Sequence, residues 1–223
     1  MHAIGLLGGT FDPIHHGHLR MAEELREKLG LEQVRFIPAA IPPHRANPQI
    51  NAEHRAEMVK LAIAGNPAFA LDTRELARSG PSYTFDTLTE LRAELGSQVS
   101  LCLLMGSDAF LGLSGWHRWR ELLDLAHIIV AQRPGATPSD EAMTPELRQQ
   151  WRDRRVKNPA ELRMPAGKIL LQSITALDIS ASGIRAAFMQ GLSTRYLLPE
   201  TVRTYIDSHH LYATLAPKEP HGT

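Results

Sequence analysis

Cysteine is almost absent from this sequence. Cys102 is the only one among 223 residues, so no disulfide can form within the chain, and its place in the apolar run 99–105 points to a buried, reduced thiol. Net charge is missing too: Lys+Arg and Asp+Glu each number 24. That balance removes any global electrostatic argument for a nucleic-acid or membrane partner. No run approaches the roughly 20 apolar residues that a membrane helix needs. The N-terminus passes directly into an apolar strand without a basic region, apolar leader or cleavage site, so a cytoplasmic protein is expected. Two familiar phosphate-loop patterns are also lacking. No Gly-Lys-Ser/Thr closes a P-loop, and Gly5-Leu6-Leu7-Gly8-Gly9 does not give the G-x-G-x-x-G spacing.

What is present suits one α/β domain: 43% of residues are apolar and 22% charged. Ala3-Ile4-Gly5-Leu6-Leu7 is a buried-strand pattern, and 19–29 carries Leu19, Met21, Ala22, Leu25 and Leu29 at helical spacing, with Gly30 as a C-cap. Strands are expected at 34–37, 69–72, 99–105, 128–131 and 169–171, and helices at 52–64, 85–95, 122–125, from Ser180 or Ser182 to about 190, and 198–209. Thr84 or Ser82 is a candidate cap for the 85–95 helix. The alternation predicts an α/β, Rossmann-like, doubly wound parallel sheet with helices on both faces and sites at the carboxyl ends of the strands. The pattern weakens between 135 and 167, which is expected to be a surface excursion or lid, with a polar, Arg-rich possible helix at 144–157, within a single domain spanning 1–212. Residues 213–223 are expected to form a flexible tail.

The chemistry concentrates in Gly8-Gly9-Thr10-Phe11-Asp12-Pro13-Ile14-His15-His16-Gly17-His18. Here a strand gives way to a glycine turn and then to a helix. Such a helix start aims free backbone N–H groups and the positive end of its dipole over the strand end, which makes an anion site. His15 and His18 are three apart and should project to one side. A metal site there lacks carboxylate or cysteine ligands at convincing spacing. Elsewhere, Pro42-Pro43-His44-Arg45 is either a rigid turn or a presented pair of cationic contacts. Trp116 and Trp119 are either core anchors or a flat surface for stacking a ring. Arg185 falls early in a predicted helix, against the dipole, a conflict that a bound anion would resolve.

The first segment resembles the G-x-F-x-P-x-H-x-G-H signature of the nucleotidyltransferase superfamily through Gly9, Phe11, Pro13, His15, Gly17 and His18. Ile179-Ser180-Ala181-Ser182-Gly183-Ile184-Arg185 resembles its I-S-S-T-x-I-R signature, with Ala181 for the middle serine and Ser182 for the threonine. Pro42-Pro43-His44-Arg45, Ser82-Tyr83-Thr84-Phe85-Asp86-Thr87-Leu88, and Gly106-Ser107-Asp108 with Trp116 narrow the likeness to the bacterial nicotinate-nucleotide adenylyltransferases, over residues 3 to about 210. The resemblance implies the nucleotidyltransferase α/β-phosphodiesterase type of fold. It also implies joining of ATP to nicotinate mononucleotide, with Mg²⁺, to give deamido-NAD and pyrophosphate. By the same resemblance the pyridine ring stacks on Trp116 and its carboxylate meets amides near Tyr83 and Thr84.

Transfer to a phosphate monoester needs no strong base, because the second pKa of the phosphate is about 6. It needs two polyanions held together and charge stabilised on the α-phosphate and leaving pyrophosphate. On this basis His18 is expected at the α-phosphate, and His15 and Arg185 at the β- and γ-phosphates. Gly8, Gly9, Thr10, Phe11, Gly17, Gly106, Ile179, Ser180 and Ser182 are expected to cradle ATP. His44 and Arg45 would hold the mononucleotide phosphate, and Asp108 would reach a ribose hydroxyl or a metal-bound water. The Mg²⁺ is expected to bind through ATP phosphates and water, with no protein ligand set. The expected partners are ATP and nicotinate mononucleotide, with no nucleic acid, membrane or obligate protein partner. Alternatives are an adenylyltransferase for nicotinamide mononucleotide or another phosphate acceptor, and a non-catalytic nucleotide sensor.

Overall fold

The computed structural model describes residues 2–43, 48–132, 139–175 and 177–212. Its centre is a seven-stranded sheet of β1 (Ala3–Gly9), β2 (Gln33–Pro38), β3 (Phe69–Leu71), β4 (Ser100–Gly106), β5 (His127–Gln132), β6 (Arg155–Val156) and β7 (Ile169–Ser173). The order is β3-β2-β1-β4-β5-β7-β6, and every pairing is parallel. The chain builds outward from β1 on one side and then returns to build outward from β4 on the other. The direction therefore reverses between β1 and β4, where open α/β sheets leave a crevice at their carboxyl ends.

Side-chain alternation along the strands fills two cores, one on each face. Leu6, Leu101, Leu103, Met105, Ile128, Val130 and Ile169 pack with α3 (Thr84–Leu95), α5 (Leu122–Leu125) and α6 (Pro145–Arg154). Leu7, Cys102, Leu104, Ile129, Ala131 and Leu170 pack with α1 (His16–Leu29), α2 (Ala52–Ile63), α7 (Ala181–Met189) and α8 (Glu200–Ser208). The short α4 (Ser107–Leu111) follows β4 directly. Gly30 ends α1 at φ 63°, a left-handed conformation that suits glycine. Cys102 is fully buried, and burial pushes its thiol up to about 12.

The expected surface excursion at 135–167 is corrected over its described part. Met143, Leu147, Trp151, Val156 and Leu162 are buried, and β6 extends the sheet beside β7. Leu147 and Trp151 lie four apart on α6 and supply one narrow apolar seam, while Arg148, Arg152 and Arg154 serve local hydrogen bonds. No helix among the described residues is long and apolar enough to cross a membrane.

Candidate active site

The loop between β1 and α1 lies at the carboxyl end of the sheet beside the point where the winding reverses. His15 is the N-cap of α1, at φ −150° and ψ 171°, and His18 is its third helical residue. This brings the two rings into a stack, with centroids 3.8 Å apart and planes at 27°. The His15 backbone N–H donates to His18 Nδ1 at 3.3 Å. A nitrogen that accepts carries no proton, so the neutral His18 ring holds its proton on Nε2. Phe11 supports the same ring edge-on, at 5.2 Å and 81°. His15 is 6% exposed; burial, and then the charge of His16, lower it to about 4, so it is a neutral imidazole at ordinary pH.

Glycine is needed here for two opposite reasons. A Cβ on Gly17 would sit 3.0 Å from His15 Cε1 and Nδ1 and 3.6 Å from the Ile179 carbonyl. Gly17 therefore lets α1, the His15 ring and the segment leading into α7 close on one another. A Cβ on Gly8 or Gly106, at the ends of the adjacent strands β1 and β4, would meet nothing within 4 Å. Protein packing does not require glycine at either position, and a close-lying ligand would.

Ser180 caps α7, its Oγ accepting from the Gly183 N–H at 3.1 Å and lying 3.3 Å from Ser182 Oγ. Both serines are exposed, and Ile179 is half-buried. Arg185 is the fifth helical residue of α7, beyond the first turn, so the expected conflict with the dipole does not arise. Its Nη1 donates to the Asp12 carbonyl at 2.7 Å and lies 3.8 Å from Asp12 Oδ2. That contact joins the second signature to the first.

The other side of the crevice is built by α3. Neither Ser82 nor Thr84 caps it: Tyr83 is the N-cap residue and makes no side-chain cap bond, and Thr84 is the first helical residue. Ser82 Oγ instead accepts from the N–H groups of Ala40 and Ile41, at 3.0 and 3.4 Å, binding the end of β2 to the start of α3. Thr87 Oγ1 donates to Glu75 at 2.6 Å beneath this turn, and Arg78 donates to the same hydroxyl. Burial raises the Glu75 carboxyl. The Tyr83 ring packs at a tilt against His117, at 4.4 Å and 31°, and the Arg118 guanidinium covers the Phe85 ring at 3.5 Å. These contacts bring Trp116 to the same corner, half-buried, whereas Trp119 is a core residue. Asp108 is exposed on α4 at the end of β4. His44 and Arg45 lie outside the described residues.

Several residues that support the site escape a motif search. Arg55, 1% exposed, donates to the carbonyls of Thr10 at 2.7 Å and Ala40 at 3.1 Å, bracing two loops at once. Its only sequence signal is its spacing, three and four before Met58 and Val59 on the buried face of α2. Glu24 is buried in α1 and accepts twice from the Thr175 N–H, at 2.9 and 3.2 Å. Burial alone would raise it, but Thr175, Arg20 and Lys28 hold it down to about 2. Asp12 Oδ2 accepts from the Gln49 N–H at 3.0 Å, and Asp12 Oδ1 from the Tyr212 hydroxyl at 2.6 Å.

Two helix N-termini, a histidine pair and an arginine thus meet over the reversal of a parallel sheet, an arrangement suited to receiving an anion. The profile of the cytidylyltransferase-like family matches residues 6–187. A protein of Halorhodospira halophila named "probable nicotinate-nucleotide adenylyltransferase" is 58% identical over 206 residues, covering 91% of this chain and 92% of that one. One of the same name from Dechloromonas aromatica is 50% identical over 210 residues, covering 94% and 97%. The solved structure of Plasmodium falciparum nicotinic acid mononucleotide adenylyltransferase complexed with NaAD superposes with a TM-score of 0.72 at 18% identity, covering 95% of this chain and 98% of that one, which shows the shared fold. The chain belongs to the cytidylyltransferase-like family and, within it, to the nicotinate-nucleotide adenylyltransferases.

Proposed function

We propose that this protein transfers the adenylyl group of ATP to nicotinate mononucleotide, releasing pyrophosphate and forming nicotinate adenine dinucleotide, a step of NAD synthesis. The observation that carries this is the convergence of the His15–His18 stack at the start of α1 with Arg185 of α7 on one loop, residues 10–13. The family name shared with relatives of 58% and 50% identity supplies the acceptor.

In the reaction a phosphate oxygen of the mononucleotide attacks the α-phosphorus of ATP. The bond from that phosphorus to the α,β-bridging oxygen breaks, and its electron pair leaves with pyrophosphate. The attacking group is largely dianionic at neutral pH, since its second pKa is about 6, so no protein base has to remove a proton. Catalysis is then positioning and charge stabilisation. His18, with its proton on Nε2, donates toward the α-phosphate as charge builds there. His15 and Arg185 serve the β- and γ-phosphates, and amides at the starts of α1 and α7 complete the cradle. Gly8 and Gly106 leave the nucleotide room to lie against the strand ends. On the α3 side, Trp116 carries the pyridine ring and the Tyr83–Thr84 amides meet its carboxylate. Asp108 reaches a ribose hydroxyl or a metal-bound water.

The Mg²⁺ enters with ATP. It is held by the ATP phosphates and water. A cytoplasmic location fits the single, fully buried Cys102. The test is to incubate the full chain with ATP, Mg²⁺ and nicotinate mononucleotide and to measure pyrophosphate and the dinucleotide together. Equal amounts of both support the proposal; pyrophosphate without dinucleotide makes the protein a hydrolase and overturns it.

A further inference from the structure

The strongest unexplained feature is a polar contact between the two ends of the described chain. Tyr212 Oη donates to Asp12 Oδ1 at 2.6 Å across 200 residues of sequence, and both side chains are buried, at 7% and 5% exposure. Burial and the nearby Asp12 carboxylate both raise the phenol above its ordinary value, so it remains a donor throughout the working pH range. The same aspartate receives Arg185: Nη1 bonds its carbonyl at 2.7 Å and lies 3.8 Å from Oδ2. Arg185 Nε is buried and has no hydrogen-bond partner among the described residues, so the aspartate is what aims the guanidinium.

Backbone geometry shows the contact to be imposed. Phe11 at φ 49° and Tyr212 at φ 61° are both left-handed non-glycine residues, and they flank the carboxylate from opposite ends of the chain. Such positions persist only where the surroundings over-determine them. The Tyr212 ring also lies on Phe188, at 6.1 Å and 30°. Phe188 stands three residues after Arg185 on α7, so one side chain fixes both the aspartate and the helix that carries the arginine.

We infer that Asp12 and Tyr212 are positioning residues for Arg185, so that docking of the turn after α8 completes the ATP phosphate site. This rests on the assignment of Arg185 to the ATP phosphates made above. A plain structural anchor would affect stability and both substrates alike. A positioning pair acts on ATP, and acts through Arg185.

The experiment is steady-state kinetics on the full chain with ATP, Mg²⁺ and nicotinate mononucleotide, with melting temperatures alongside. Tyr212→Phe keeps the ring and removes only the hydroxyl. The expected result is a rise of about 3- to 10-fold in KM for ATP, with KM for the mononucleotide within about twofold. Asp12→Asn, which keeps the carbonyl and one side-chain oxygen, should show the same split, and it serves as the second probe if Tyr212→Phe fails to fold. In an Arg185→Lys background, Tyr212→Phe should change the ATP KM by less than about twofold, because the group it aims is gone. An unchanged ATP KM in Tyr212→Phe and Asp12→Asn, or an equal effect in both backgrounds, overturns the inference. An Arg185→Ala variant with ordinary ATP kinetics overturns the assignment of Arg185 itself, a separate failure.

Discussion

His15 and His18 stack with centroids 3.8 Å apart, and the backbone N–H of one donates to Nδ1 of the other at 3.3 Å. His15 is held neutral by burial, and the contact at His18 Nδ1 leaves the proton of the neutral His18 ring on Nε2, the atom proposed above to donate to the α-phosphate. His18→Ala should lower kcat by about 100-fold or more, with the melting temperature within a few degrees of the parent. Parallel loss of stability and activity would make His18 a structural residue. His18→Gln, whose amide reaches the Nε2 position, should retain more activity than His18→Asn.

The buried state of His15 predicts a pH dependence of stability. Its folded value, about 4, lies below the ordinary 6.5. The unfolded chain therefore binds the proton first as pH falls. The stability this group contributes is complete above about pH 6.5 and is lost progressively down to about pH 4. At pH 5 the loss is about 2 kcal/mol. Urea denaturation at pH 7.5 and pH 5 measures it: His15→Asn should shrink the difference by about 2 kcal/mol, leaving the part that the buried His127, also lowered by burial, contributes with the same sign. A variant as acid-sensitive as the parent would place the effect elsewhere.

Gly17 and Gly8 predict opposite outcomes for the same substitution. Gly17→Ala brings a methyl group to 3.0 Å from the His15 ring and should lower both the melting temperature and kcat. Gly8→Ala meets no protein atom within 4 Å, so its melting temperature should stay within about 2 °C of the parent while KM for ATP rises about 10-fold or more. Ordinary ATP kinetics in Gly8→Ala would mean that the nucleotide does not lie on the end of β1.

Arg55 braces the loop from below without belonging to any recognisable signature. Removing it strands the Thr10 and Ala40 carbonyls and leaves a void. Arg55→Ala should cost roughly 3 kcal/mol, read as a shifted urea midpoint. A change under about 1 kcal/mol would show that other groups satisfy those carbonyls.

What could be seen in the sequence was what is local. Gly9, Phe11, Pro13, His15, Gly17 and His18 form one continuous segment, and the strand and helix periods of β1, β4, α2 and α7 are each written within a dozen residues. What escaped depends on contacts between distant segments. Asp12 meets Tyr212 200 positions later, and Glu24 meets Thr175 151 positions later. Ser82 resembled a helix cap, the commonest use of a serine there, but its hydroxyl is taken by Ala40 and Ile41 from another strand end. In the stretch before β7 the polar helix at 144–157 is legible and is α6, but its burial is not, because Leu147 and Trp151 are set singly in a polar background. The two serines, Ser180 and Ser182, leave the start of α7 open by two residues in the sequence, and only the Ser180 cap places Arg185 beyond the first turn.

The most direct test is pyrophosphate release from ATP and Mg²⁺ with nicotinate mononucleotide against nicotinamide mononucleotide as acceptor. A preference of about 100-fold or more for the acid, equivalent to about 2.7 kcal/mol, is the predicted result and would place the carboxylate at the start of α3. Comparable rates with the two would contradict the acceptor assignment, and no release with either would contradict adenylyl transfer to a pyridine mononucleotide.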